Sequence, residues 1–248
     1  MPDSHPLTGR CVLITGGAKR LGAAITRMLH CAGANVAVHF RQSGAEAMAL
    51  AGDLDSIRPG SAMTLAADLG DIATMPGLIE SVIARFGRLD VLINNASSFY
   101  PTPVGSISAL QWDDLVGTNL RAPLFLAQAA ADSLRATEGC IINMADIHGQ
   151  KPLKHHPVYS AAKAGLIMLT RSLAQELGPA IRVNAIAPGP VLWPEAGLPD
   201  ELKQEIIAKT ALKRTGAPED IARTALFLAA YAPNITGQVI AVDGGRNL

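Results

Sequence analysis

The chain has 248 residues, 49% of them hydrophobic, enough to bury one large core and within the range of a single α/β domain. Its 21 basic and 21 acidic residues cancel, so no net field draws nucleic acid or an anionic membrane, and no segment has a signal-peptide core or the ~18 apolar residues of a membrane helix. Cys11, Cys31 and Cys140 are odd in number, sit in apolar sequence and lack metal-ligand spacing, which predicts reduced thiols in a cytoplasmic protein with no disulfide and no metal.

Apolar runs alternate with longer helical patterns throughout. Cys11 to Thr15 reads as a buried strand, Arg20 to Ala32 as a helix, Asn35 to His39 as a second strand and Ala45 to Ile57 as a second helix. Further strands are predicted near Ala62 to Ala66, Leu89 to Ile93, Cys140 to Met144, Ile181 to Ile186 and Gln238 to Val242. Strand and helix in alternation imply parallel pairing, so the expected fold is one α/β domain over residues 1–248, a Rossmann-type, doubly wound, parallel seven-stranded sheet with helices on both faces. Ligands bind such sheets beyond the carboxyl ends of the strands, where the strand order reverses.

The first loop there is T-G-G-A-K-R-L-G, Thr15 to Gly22. Gly16 would let backbone approach a phosphate, the next helix would offer free N–H groups, and Gly22 would let helix and strand pack closely, although a plain turn is the alternative. Lys19 and Arg20 at a helix N-terminus oppose the macrodipole unless an anion sits there, and a pyrophosphate would supply one. Gly16, Lys19, Arg20 and Leu21 are the expected contacts. The second strand ends in His39-Phe40-Arg41-Gln42-Ser43, without the carboxylate that holds a ribose hydroxyl in NAD sites. Arg41 and Ser43, beside Phe40, suit a 2'-phosphate instead, so NADP(H) is the expected cofactor; a solvated Arg41 is the alternative. Asp68 and Leu69 follow the third strand, where they would meet an adenine, or Asp68 would cap the next helix.

The fourth strand runs into N-N-A-S-S-F-Y-P, whose Asn95, Ala96 and Ser97 allow close approach to a cofactor while Phe99 offers a flat apolar face. Asn119 is a poor helix former within a helix, and either holds a hydrogen bond at the site or faces solvent. Tyr159 and Lys163, four apart, share one helical face. A phenol titrates near pH ~10 and a neighbouring ammonium favours its ionised form, so Tyr159 is a candidate acid.

Together these motifs resemble the short-chain dehydrogenase/reductase family over essentially the whole chain: the glycine loop, N-N-A, Asn119, Tyr-x-x-x-Lys and Pro188-Gly189 occur in the family's order. The resemblance implies that Tyr159 is the acid, that Lys163 lowers its pKa and binds the nicotinamide ribose, that Asn119 supports a relay water, and that Pro188, Gly189 and Val191 complete the cofactor site. Two departures stand out. The family's catalytic Ser is Asp146, and the third glycine of the loop is Arg20. Both, with N-N-A-S-S-F-Y-P-T-P and the ending V-D-G-G, look like the pteridine reductase branch.

That branch would reduce a C=N bond of a dihydropterin or dihydrofolate. No alkoxide forms in such a reduction, so a carboxylate at Asp146 that accepts a hydrogen bond from Tyr159 keeps an acid available, whereas it would repel the alkoxide of a carbonyl reduction. The resemblance puts the substrate ring against Phe99, with Ser97 and Arg20 on its polar edge and Asp146 and Tyr159 at the reacting end. Residues 190–216, with Trp193, Pro194 and Pro199, would form a substrate lid. His148, His155 and His156 read as exposed loop residues. Some pteridine reductases complete the site with a neighbour's C-terminal tail, a contact that Arg246 here either replaces or lacks. The family implies a homotetramer, and the apolar stretches Ala122 to Ala131 and Tyr159 to Leu173 agree with buried helix faces. A carbonyl reductase of the same family and a non-catalytic NADP(H)-binding protein are the alternatives.

Overall fold

Strand β1 (Cys11–Ile14) is four consecutive buried residues, and its alternate side chains enter two different cores. Val12 and Ile14 join α1 (Arg20–Cys31) and α8 (Pro218–Ala230) through Ile25, Leu29, Ile221 and Leu228. Cys11 and Leu13 join α3 (Met75–Phe86) and α5 (Ala122–Ala136) through Leu78, Val82, Leu126 and Leu134. Helices therefore cover both faces, as the continuous apolar strands require.

The computed structural model describes residues 5–193 and 197–248. Among them one parallel sheet runs in the order β3 (Ala62–Ala66), β2 (Asn35–Phe40), β1, β4 (Val91–Asn94), β5 (Cys140–Met144), β6 (Arg182–Pro188) and β7 (Val239–Val242). The order reverses between β1 and β4, which pair in parallel from Val12↔Val91 to Ile14↔Ile93. The remaining helices are α2 (Gly44–Ile57), α4 (Ala109–Val116), α6 (Pro157–Leu177) and α7 (Asp200–Ala208).

Each expected strand is present, with shifted ends. β4 begins at Val91, since Asp90 forms the entry turn: its carboxylate accepts from the Cys11 N–H at 2.8 Å and from Arg88. β6 reaches Pro188, which stands opposite Val242. Cys11 and Cys140 are buried as expected, but Cys31 is exposed at the last position of α1, on the helix's outer face. All three thiols are free. No helix among the described residues is long and apolar enough to cross a membrane.

Candidate active site

The glycine loop leaves β1 at Thr15, whose hydroxyl accepts from the N–H groups of Asn95 and Ala96 at 2.9 and 3.0 Å and so ties the ends of β1 and β4 together. Gly16 has φ +58, and a Cβ there would lie 3.1 Å from the Ala96 Cα. At Gly22 a Cβ would stand 2.1 Å from the Gly16 carbonyl oxygen, so only glycine lets α1 pack this closely on the loop. Arg20, at the position of the missing third glycine, keeps a left-handed φ of +51, a conformation that costs a non-glycine residue ~1–2 kcal/mol. Its guanidinium donates across the loop to the Trp193 carbonyl at 2.9 Å.

Asn95 turns its amide nitrogen into the loop, donating to the Thr15 and Gly16 carbonyls at 2.9 and 3.0 Å, and so supports the loop's shape. Lys19 lines the same loop and is paired with Glu46 in the first turn of α2.

A cavity of about 220 Å³ opens beside this loop, lined by Gly16, Phe40, Arg41, Ser43, Asp68 and Leu69 among others. Ser43 is the N-cap residue of α2 but its hydroxyl makes no cap bond. Arg41 stands at the rim, 4.0 Å from both Asp68 and Asp114, with 48% of its side chain exposed. Asp68 uses an oxygen to accept from the Gly70 N–H at 2.8 Å; the helical turn that follows is capped by Asp71.

His39, which the sequence reading passed over as a site residue, lines the same cavity and is buried. Its Nε2 donates to the Ala67 carbonyl at 3.1 Å, since a carbonyl only accepts, and its Nδ1 accepts from the Gly16 N–H at 3.2 Å. Burial holds its pKa below the ordinary 6.5, so the neutral ring braces the glycine loop. A lone histidine closing the apolar run N-V-A-V-H-F was the available signal.

The second group of residues lies at the carboxyl ends of β4 and β5. Asp146 follows β5, and one oxygen accepts from the His148 N–H at 2.8 Å while the other accepts from the Tyr159 hydroxyl at 2.7 Å. Burial and then the Asp146 charge and hydrogen bond push the Tyr159 phenol well above its ordinary 10. Lys163 is fully enclosed and donates to the Met144 carbonyl at 2.8 Å, with its pKa pushed down to about 8 by burial. Its Nζ is turned to Met144 and lies 5.7 Å from the Tyr159 ring centroid, while burial and Asp146 are what raise the phenol.

Asn119 is fully buried in a π-helical turn (Gly117–Arg121) between α4 and α5, so the solvent-facing alternative fails. Its Nδ2 donates to the Ser98 and Leu115 carbonyls, both at 2.9 Å, and its Oδ1 accepts from the Ser97 hydroxyl at 2.7 Å. These bonds fix the loop that carries Phe99. The Phe99 ring is stacked on His156 with centroids 4.8 Å apart and meets the Tyr159 ring edge-on. His156 is therefore part of this cluster, contrary to its reading as an exposed loop residue.

Ser97 joins the two groups, lining the cavity and bonded to Asn119. Leu21 and Val191 pack against the main core, and Gly189 packs on Asp243, where a Cβ would come within 2.5 Å; neither they nor Pro188 line the cavity. Residues 190–216 are closed at their base by the Gly216 N–H donating to the Pro190 carbonyl at 3.0 Å; Pro194 lies outside the described residues. The tail folds onto its own chain: Asp243 accepts from the Gly245 and Asn247 N–H groups, and Asn247 donates to Gln150. A further cavity at the amino ends of the strands is lined by Arg10, Arg88 and Arg182, which are engaged by the Ala229 carbonyl, Asp90 and the Leu228 carbonyl. Among the described residues no group of three His, Cys, Asp or Glu side chains is arranged to hold a metal.

A family model described as Enoyl-(Acyl carrier protein) reductase matches residues 16–247. The chain is 37% identical to pteridine reductase 1 of Leishmania tarentolae, over 97% of this chain and 97% of that protein. It is also 35% identical to a 3-oxoacyl-(acyl-carrier-protein) reductase FabG of Staphylococcus aureus, over 95% of this chain and 97% of the other.

Proposed function

Since the chain belongs to the short-chain dehydrogenase/reductase family, in its pteridine reductase branch, and is an oxidoreductase, we propose that it is an NADPH-dependent pteridine reductase. In this reading it converts the C=N bond of dihydrobiopterin, dihydromonapterin or dihydrofolate to the tetrahydro form. The observation that carries the reading is the 2.7 Å hydrogen bond from Tyr159 to Asp146. A carboxylate in that place opposes a developing alkoxide but keeps a protonated phenol available for a ring nitrogen.

The residues fit a dinucleotide. The backbone of Gly16 is open where a side chain would be blocked, α1 presents its N-terminus to the loop, and Arg41 and the uncapped Ser43 hydroxyl stand at the cavity rim for a 2'-phosphate. Phe40, Asp68 and Leu69 would hold the adenosine end, with Lys19, Arg20 and Leu21 along the phosphates, and Asn95, Ala96, Ser97, Pro188, Gly189 and Val191 towards the nicotinamide. Lys163 would bind the nicotinamide ribose. When bound, the reduced cofactor supplies the hydride.

The chain's own groups then manage the proton. Tyr159 holds it and gives it to the substrate nitrogen; Asp146 orients the phenol and disfavours its ionisation beforehand. The Lys163 ammonium, beside the Tyr159 ring, stabilises the phenolate left after transfer. Asn119 acts by fixing the Ser97 hydroxyl and the Ser98 carbonyl. Phe99 supports the flat ring, Arg20 and Ser97 bind its polar edge, and residues 190–216 cover it, a role supported by the bond from Arg20 to Trp193.

Purified protein given NADPH and a panel of dihydropterins, dihydrofolate and ketones tests the reading. Turnover of a pterin is expected. Rapid ketone reduction with no pterin turnover would instead make it a carbonyl reductase, a reading favoured by the almost equal similarity to the 3-oxoacyl reductase.

A further inference from the structure

Phe99 carries a large apolar ring that is 48% exposed, yet it is held from three directions. The imidazole of His156 is stacked on it at 4.8 Å with 12° between the planes, and the Tyr159 ring meets it at 4.8 Å and 79°. The third hold is backbone. The Thr102 N–H donates to the His155 carbonyl at 2.7 Å, clamping the loop after β4 to the loop that opens α6. His155 reaches that carbonyl position at a left-handed φ of +64, a strained conformation for a non-glycine residue.

His156 is itself fixed. Its Nδ1 donates to the Lys154 carbonyl at 2.9 Å, and it stands one turn before Tyr159 at the N-cap of α6. With His156 stacked on one face, the 48% of Phe99 that is exposed belongs to its other face and its rim, the surface able to receive a flat molecule.

We propose that His156 is the positioning residue for the substrate ring, backing Phe99 so that its free face is presented, already oriented, to a planar bicyclic heteroaromatic substrate beside Tyr159. The proposal rests on the pteridine reductase reading and adds what determines its preference for a flat ring. A fixed ring face gains contact area with a planar substrate without having to be ordered on binding, while a linear acyl ketone gains little from it.

The test compares His156→Ala and His156→Phe with the full-length wild type, measuring KM and kcat for dihydrobiopterin and the Kd of NADPH. His156→Ala should raise the pterin KM by about two- to tenfold, with a smaller change in kcat and NADPH affinity within twofold. His156→Phe, which restores a flat ring, should recover most of the loss. A merely structural role would lower the melting temperature and worsen all three together, with kcat falling and KM and Kd rising, and Phe would rescue none of them selectively. Wild type that reduces pterins while His156→Ala has the same KM overturns this proposal alone. Wild type that reduces no pterin counts against the functional reading, and the proposal falls with it.

Discussion

Tyr159 donates its phenolic proton to Asp146 over 2.7 Å, so the side chain best placed to release a proton is kept protonated by the carboxylate it touches. Removing the hydroxyl while keeping the ring isolates that function. Tyr159→Phe is expected to cut turnover by ~10² to 10⁴, the range for general acid catalysis, with NADPH affinity nearly unchanged. A wild type as slow as the variant on every substrate would favour a cofactor-binding protein without catalysis.

Lys163 is expected to set the alkaline limb of the rate profile. Its ammonium is lost as pH rises through about 8, whereas the phenol remains protonated, so the rate should fall there without phenolate absorbance appearing. Stability moves the other way. Between about 8 and the ordinary 10.5 the unfolded chain holds this proton and the folded chain does not, so the group's contribution to stability rises with pH over that window and is lost as pH falls back through about 8. In Lys163→Met, melting temperatures measured across the window should lack that rise.

Arg41 is expected to read the cofactor's 2'-phosphate. Arg41→Ala should weaken NADPH by ~1.5 to 3 kcal/mol, about 10- to 150-fold, and NADH much less. Asp114 also lies 4.0 Å from Arg41 and accepts from the Tyr100 hydroxyl at 2.9 Å, so Asp114→Asn should tighten NADPH modestly while loosening the loop after β4. Equal losses of both cofactors in Arg41→Ala, measured by titration, would assign the phosphate to Ser43 or Lys19.

His39 gives the glycine loop an acid-sensitive brace. Its folded pKa lies below the ordinary 6.5, so its contribution to stability is complete above that value and is lost as pH falls through the lower, folded one. Protonation also turns Nδ1 into a donor facing the Gly16 N–H, removing a bond worth ~1 kcal/mol. His39→Asn should therefore show a smaller loss of stability on acidification than the wild type, as followed by thermal melts.

Assembly is expected to be tetrameric. Leu110 and Trp112 on α4, Leu124 on α5 and Met168 on α6 are exposed apolar side chains on helices whose other faces pack on the core. Light scattering of dilute protein should give four chains. A mass of one chain with full activity would count against it.

The sequence by itself determined the sheet. Buried runs such as C-V-L-I and V-L-I-N can satisfy their backbone and their apolar faces only as parallel strands covered on both sides, and periodicity records that locally. The spacing of Tyr159 and Lys163, and the presence of Asp146 and Phe99, were legible for the same reason: each is a residue type at a fixed place in one element.

Only the tertiary structure decided which partner each polar group takes. Lys163 turns to a β5 carbonyl, Asn95 to the glycine loop, Lys19 to Glu46, and Asn119 to the Ser97 hydroxyl and the Ser98 carbonyl, none of which the order of residues announces. His39 with Gly16 and His156 with Phe99 lie 23 and 57 positions apart in the chain, so no periodic pattern joins them. A hydrogen bond or a ring contact is chosen by geometry within a few ångströms, and that geometry exists only once the strands and helices have packed.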